Sequence, residues 1–317
     1  MKVLICHRPG GAWGYITDGF VNAFKSQGHE TQRWDGNTDS WFLFEPDLYI
    51  GCSGHKQPMP DDDSTKTAIH VNPHGPIDLG SINEPSSNIN WVVDKNPDVV
   101  FGYGQENDKN LWSYWSERYG IPWIPMPTAA DKTLFYRDEL NNKQYDIVYL
   151  GGRWDYKAKT IDKFLLPTLR SSEFDCKVYG WGDWPDGICS GVLAEDSASD
   201  FLNSGKIGPC VSEIHTHRYG IDIPERAFKV ALSGTLVVHD PVPALKNLFS
   251  SAVVANSAEH YMDLCKHYNN PENNDERLEL TAQQQKEVLN NHTYHHRLSV
   301  LLSALGFNKE AEEMLQQ

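Results

Sequence analysis

Short apolar runs closed by glycine or proline recur along the chain, each followed by a stretch whose apolar residues return at helical spacing. Val3-Leu4-Ile5-Cys6 runs into Pro9-Gly10-Gly11, and Phe20, Ala23 and Phe24 then lead to Gly28. That order predicts strand, glycine turn, helix. Further strands are predicted over 47–52, 67–72, 99–103 and 123–126, with a helical stretch over 108–118. Strands alternating with helices predict a parallel sheet covered on both faces.

The same plan begins again after the polar stretch 138–143, which reads as a linker. Ile147-Val148-Tyr149-Leu150 leads into Gly151-Gly152-Arg153, a helix to Leu169, and a strand over 176–179 closed by Gly180. Later strands are predicted over 207–211, 236–238 and 252–255, with helices over 224–233 and from Ala258. The tail 276–317 reads as helical throughout, and His215 and His217 as alternating along an extended stretch. The expected organisation is an N-terminal domain over 1–137, a second domain over 138–290 and C-terminal helices over 291–317 that pack back toward the first domain. Open α/β sheets hold ligands outside the carboxyl ends of their strands. Two Rossmann-like domains facing each other across a cleft are therefore the expected α/β architecture.

Composition narrows the function. At 317 residues the chain exceeds the usual size of one core, and 39% hydrophobic residues suffice to pack two. A net charge of −15, with neither half basic, argues against a nucleic-acid-binding domain. Cys6, Cys52, Cys176, Cys189, Cys210 and Cys265 form no CxxC pair, so neither a zinc knuckle nor a disulfide frame is indicated. The first apolar run is too short for a secretory leader and no run reaches membrane-spanning length. A soluble, cytoplasmic protein is expected.

Chemistry concentrates at the turns. Gly10 and Gly11 let the backbone approach a ligand at the start of a helix, a setting that favours phosphate. The turn is not GxGxxG, so a dehydrogenase recedes. After Gly151 and Gly152 come Arg153, Lys157 and Lys159, cations near a helix start whose placement a bound diphosphate would explain. The run Ile223-Pro224-Glu225-Arg226-Ala227-Phe228-Lys229-Val230-Ala231-Leu232-Ser233-Gly234 reads as a helix opened by proline and closed by glycine, before the strand Leu236-Val237-Val238.

These segments, with Val178-Tyr179-Gly180-Trp181-Gly182 and Asn291-His292-Thr293-Tyr294-His295-His296-Arg297, resemble the C-terminal nucleotide-binding domain of GT-B glycosyltransferases, in particular the spore-maturation CgeB-like group. The resemblance implies a metal-independent transferase that takes a nucleoside-diphosphate sugar, UDP-linked, as donor substrate and uses no other cofactor. It implies that Gly152, Arg153, Lys157 and Lys159 face the diphosphate and that Glu225, Arg226 and Lys229 face the nucleoside. Where many relatives carry a ribose-binding glutamate this chain has Lys229, and Glu225, one helical turn earlier, is the substitute on the same face.

In the first domain His74 follows a predicted strand end, the place for a general base toward an acceptor hydroxyl, and His7 is a weaker candidate. Asp61-Asp62-Asp63 reads as a solvated acidic loop, and neither His215 with His217 nor His292 with His295 and His296 has a complementary ligand set. No metal site is expected. Trp13, Trp34, Trp41 and Trp91 read as packing residues before stacking ones. The acceptor is left open among a glycan, a small molecule and hydroxylated DNA bases. A sugar-nucleotide epimerase and a non-catalytic sugar-nucleotide-binding protein are the alternatives.

Overall fold

The computed structural model describes residues 1–6, 10–34, 43–59, 64–73, 83–104, 109–138 and 143–316. The chain divides into two compact units, Met1–Pro127 with Tyr294–Gln317, and Thr128–Thr293.

The first unit is built on β1 (Lys2–Ile5), β2 (Glu30–Arg33), β3 (Leu48–Cys52), β4 (Lys66–His70), β5 (Val99–Gly102) and β6 (Trp123–Pro125), in the spatial order β2-β1-β3-β4-β5-β6. Every neighbouring pair is parallel. β3 and β5 are buried along their whole length, as strands covered on both faces must be. β2 was not predicted. Its sequence Glu-Thr-Gln-Arg carries no apolar signal, because it lies at the sheet edge, pairs only with β1 and leaves its outer residues exposed.

The helix Gly11–Ser26 buries Ile16, Phe20, Val21, Ala23 and Phe24, and Gly28 at φ 77° turns the chain back into β2. Gly19 makes a close approach possible on this helix. A Cβ there would fall 2.1 Å from the Tyr294 ring, which meets Phe20 edge-on at 5.4 Å. Tyr294 opens the C-terminal helix Tyr294–Ala304, so the end of the chain completes the first unit. The expected unbroken helical tail is corrected here. The helix Asn274–Asn291 stops at His292, and Thr293 forms a parallel bridge with Ala130 before the next helix begins.

The second unit carries β7 (Tyr145–Leu150), β8 (Cys176–Tyr179), β9 (Gly205–Cys210), β10 (Leu236–His239) and β11 (Val253–Val254), ordered β11-β10-β9-β7-β8 and again parallel throughout. Ile147, Tyr149, Ile207, Leu236 and Val238 from the strands pack with Ile161, Phe164, Leu165 and Tyr261 from the helices. Burying each such side chain contributes about 1.5–3 kcal/mol. Buried Gln284 of the helix Asn274–Asn291 donates to Val237 O and accepts from Val237 N–H, fixing that helix to β10. The segment after β7 runs from Asp155–Thr160 through a π-helical turn, Ile161–Leu165, into Leu166–Leu169. π turns often accompany functional sites.

Candidate active site

Parallel strands place their carboxyl ends on one side of a sheet, and in the second unit the ends of β7, β9 and β10 bring charge together there. β7 delivers Tyr149, Leu150 and Gly151, β9 leads into Ser212 and Glu213, and β10 ends at His239 and Asp240. The helices Asp155–Thr160 and Glu225–Leu232 supply Lys157 and Arg226.

Arg226 is fixed from two sides. Its Nε donates to Leu150 O at 2.6 Å, and its guanidinium lies 4.4 Å from the centre of the Tyr149 ring. Gly151 makes room for it, since a Cβ at that residue would stand 2.0 Å from Arg226 Nη2. Arg226 Nη1 is nevertheless buried and makes no hydrogen bond, and the same holds for Tyr149 Oη and Ser212 Oγ. Buried polar groups in native proteins are nearly always paired, so unpaired atoms on residues of β7, of the segment after β9 and of the helix Glu225–Leu232 make these elements a candidate ligand site.

Lys157 deepens the anomaly. It is buried, and among the described residues its ammonium has neither a hydrogen bond nor an ion-pair partner. Burial first, and the nearby Arg226 charge second, push its pKa down to about 7. Glu213 and Asp240 lie near enough to oppose that shift without cancelling it. Two neighbouring cations, one of them buried, are an arrangement suited to an anion.

Asp240 is spent elsewhere. Its Oδ2 accepts from Ser212 N–H and from His217 Nε2, both at 2.8 Å, while His217 Nδ1 lies 3.1 Å from Pro241 O. Acceptors at both ring nitrogens call for a doubly protonated imidazole. Burial works against that charge, but the bond and charge of Asp240 outweigh it and raise the His217 pKa. Asp240 is buried too, yet His239 and His217 hold its carboxyl well below the usual range. The predicted extended stretch around these histidines is in fact the helix Ile214–Tyr219, where His217 stacks on Phe164 at 6.0 Å. A helix there was hard to foresee because its buried residue is Thr216, not an apolar one.

The other expected site residues separate. Lys159, two positions beyond Lys157, falls on the opposite face of the helix and is exposed, which removes it from the cluster. Arg153 is also drawn away. Its Nε and Nη2 bind both oxygens of Asp162 at 2.9 and 2.7 Å, and Nη1 donates to Asp183 O at 2.5 Å. That fork engages Nε and one N–H of each Nη within the protein. Gly152 is buried with the Trp181 ring over it, so it opens no cradle of its own. Glu225 and Lys229 are paired with each other at 2.7 Å.

Gly10 and Gly11 belong to the first unit, with φ 80° and 58°, and a Cβ at either would meet open space. His74, His7, Trp41 and Asp61-Asp62-Asp63 lie outside the described residues. His292 stacks on Phe228 at 4.8 Å and His295 bonds Ser26 Oγ at 2.7 Å, so these two serve packing. Trp34 is buried and Trp13 packs on His70. Among the described residues no group of three or more His, Cys, Asp and Glu is arranged to hold a metal ion.

Glu84 escaped the sequence reading. Its buried carboxylate accepts from Ser53 Oγ at 2.8 Å, Asn72 N–H at 2.6 Å and Asn88 Nδ2 at 2.7 Å, tying the ends of β3 and β4 to the helix Ser86–Lys95. Burial raises its pKa against the pull of those donors. Only the spacing Glu84-Asn88, four residues apart at a helix start, hinted at it.

The second unit also carries most of the match to a known family. Residues 142–303, just over half of the chain, match the profile of the family described as glycosyl transferase-like. The chain belongs to that family. Solved structures add the fold of this glycosyltransferase. Phage T4 β-glucosyltransferase, a DNA-modifying enzyme solved with and without uridine diphosphoglucose, superposes with a TM-score of 0.62 at 12% identity, covering 98% of this chain and 100% of that one. A glycosyltransferase of avilamycin A biosynthesis gives 0.58 at 12% identity, covering 99% and 98%. Sucrose-phosphate synthase from Thermosynechococcus elongatus gives 0.61 at 10% identity, again covering 99% and 98%. No curated protein matches the sequence. The glycosyltransferase therefore has the GT-B fold, two Rossmann-like domains, and no described helix is long and apolar enough to cross a membrane.

Proposed function

We propose that the chain transfers a sugar from a uridine-diphosphate sugar to a hydroxyl acceptor, with the donor diphosphate bound by Lys157 and Arg226. The observation that carries the reading is this pair of neighbouring cations, a buried Lys157 and an Arg226 whose Nη1 makes no hydrogen bond, at the carboxyl ends of β7, β9 and β10 in a family of glycosyl transferases. In the reaction the bond between the anomeric carbon and the diphosphate oxygen breaks as the acceptor oxygen bonds to that carbon. The leaving diphosphate gains negative charge, and preorganised donors lower the barrier where that charge develops. Arg226 Nη1 and Lys157 Nζ are such donors, and the carbonyl of Leu150 and the Tyr149 ring keep the guanidinium from turning away.

The acceptor proton needs a base, and His74 is the residue assigned to it from the sequence. Uridine as the carrier rests on the T4 enzyme, which was solved with uridine diphosphoglucose and also with UDP and Mn2+. Charge stabilisation by two fixed cations leaves no step that requires a metal in this chain, so activity should persist in chelator.

A thermal-shift panel of inorganic pyrophosphate, nucleoside diphosphates and sugar nucleotides tests the reading. Uridine-diphosphate ligands should raise the melting temperature of the wild type by mass action, and Arg226→Ala should abolish the shift. A panel without any shift, or an undiminished shift in Arg226→Ala, refutes it.

A further inference from the structure

Beside the cation pair stands a rigid shelf that carries an exposed tryptophan. The turn after β7 and the turn after β8 are laced together: Gly151 N–H donates to Tyr179 O at 2.9 Å, Arg153 N–H to Trp181 O at 3.0 Å, and Asp183 N–H to Arg153 O at 3.1 Å. The approach is close enough to demand glycine. A Cβ at Gly180 would stand 2.0 Å from Gly151 O, and one at Gly182, where φ is 92°, 2.1 Å from Arg153 O.

Arg153 completes the lacing from its side chain, joining Asp162 of the following helix to the carbonyl of Asp183. On this frame the Trp181 indole lies over Gly152, where a Cβ would be 2.7 Å from Trp181 Cε2, and runs near-parallel to Trp154 at 14° and 6.2 Å. The residue is nonetheless 53% exposed. A large apolar ring held by fixed backbone and left open to water costs solvation free energy, and it is the form a preorganised stacking surface takes.

Position gives the ring an occupant. Trp181 rests on Gly152 and Arg226 on Gly151, so the aromatic face and the diphosphate cation sit on consecutive residues of one turn. Arg153 uses Nε and one N–H of each Nη inside the frame, and a planar base offers an indole the flat face it stacks on. We propose that the Trp181 indole stacks on the nucleobase of the donor and that Arg153 is a positioning residue that holds this shelf, an inference that rests on the diphosphate reading above.

The experiment is calorimetric titration of the 317-residue chain with uridine diphosphate and, separately, with inorganic pyrophosphate. Trp181→Ala should weaken uridine diphosphate about tenfold while leaving pyrophosphate unchanged, and Trp181→Phe should restore most of the loss. Arg153→Ala should repeat that selective pattern. If Trp181→Ala leaves the ratio of the two affinities unaltered, the stacking surface is wrong although the diphosphate site stands. If Arg153→Ala weakens pyrophosphate as much as uridine diphosphate, Arg153 contacts phosphate directly and its positioning role is overturned. A wild type that binds neither ligand overturns the diphosphate reading and the shelf with it.

Discussion

Lys229 Nζ sits 2.7 Å from Glu225 Oε2 across one turn of the helix Glu225–Leu232, and both side chains are buried. The pair gives Glu225, the residue that the sequence resemblance assigns to the ribose, a cation of its own chain as partner. Removing one partner breaks a buried ion pair. Glu225→Ala should therefore lower unfolding stability by roughly 3–5 kcal/mol, and the double substitution Glu225→Leu with Lys229→Met should recover much of that, as read from denaturant midpoints.

Lys157 makes the opposite prediction. Burial that lowers the pKa of Lys157 to about 7 penalises its charged form, so Lys157→Met should raise the melting temperature of the unliganded chain below that pH. The same substitution should remove the stabilisation that pyrophosphate gives the wild type. A variant less stable than wild type, with its ligand response intact, would show that Lys157 serves the fold and not the anion.

The low pKa of Lys157 ties binding to protons. At about pH 8 the free side chain, with a pKa of about 7, is mostly neutral, and a bound anion favours its charged form. Binding at that pH should take up close to one proton, measurable by calorimetry in buffers of different ionisation enthalpy. Affinity should be level below pH 7 and fall above it by up to about tenfold per pH unit until the pKa of the complex is passed. Proton release on binding would contradict the assignment.

Gly151→Ala places a methyl group 2.0 Å from Arg226 Nη2 in the present geometry. The guanidinium must then leave the Leu150 carbonyl and the Tyr149 ring. Affinity for uridine diphosphate should drop at least tenfold, as for loss of one charge-assisted bond, while the far-ultraviolet circular dichroism spectrum stays that of the wild type. Unchanged affinity would mean that Arg226 binds from another position.

Both sheets were legible because parallel strands covered on two faces must be apolar along most of their length, as 48–52, 99–102 and 236–238 are. β2 was silent because an edge strand needs no such run. At the site, spacing along the chain identified a group of cations around the second glycine turn, but not which of them converge. Lys157 and Lys159 look alike in sequence, and only the helical turn separates the buried one from the exposed one. Arg153 looked like the anchor until Asp162, nine residues on, proved to be its partner, a pairing that depends on how the helix after the turn leaves β7. The orphaned polar atoms of Tyr149 and Ser212 have no counterpart in a pattern of residue types, because satisfaction is a property of three-dimensional neighbours.

The bridge between Ala130 and Thr293 has a consequence for engineering. Thr128–Thr293 begins and ends at neighbouring points, since Ala130 N–H also donates to His292 O at 3.0 Å. The ends of the other unit are likewise drawn together, with Arg297 Nε donating to Pro127 O at 2.7 Å. The second sheet is thus carried as an insertion whose entry and exit lie side by side. A gene fusion joining Pro127 to Tyr294 through a short spacer, and a separate one encoding 128–293, would each respect the chain's own seams, whereas truncation before Tyr294 would strip the first unit of the ring that fills the notch at Gly19.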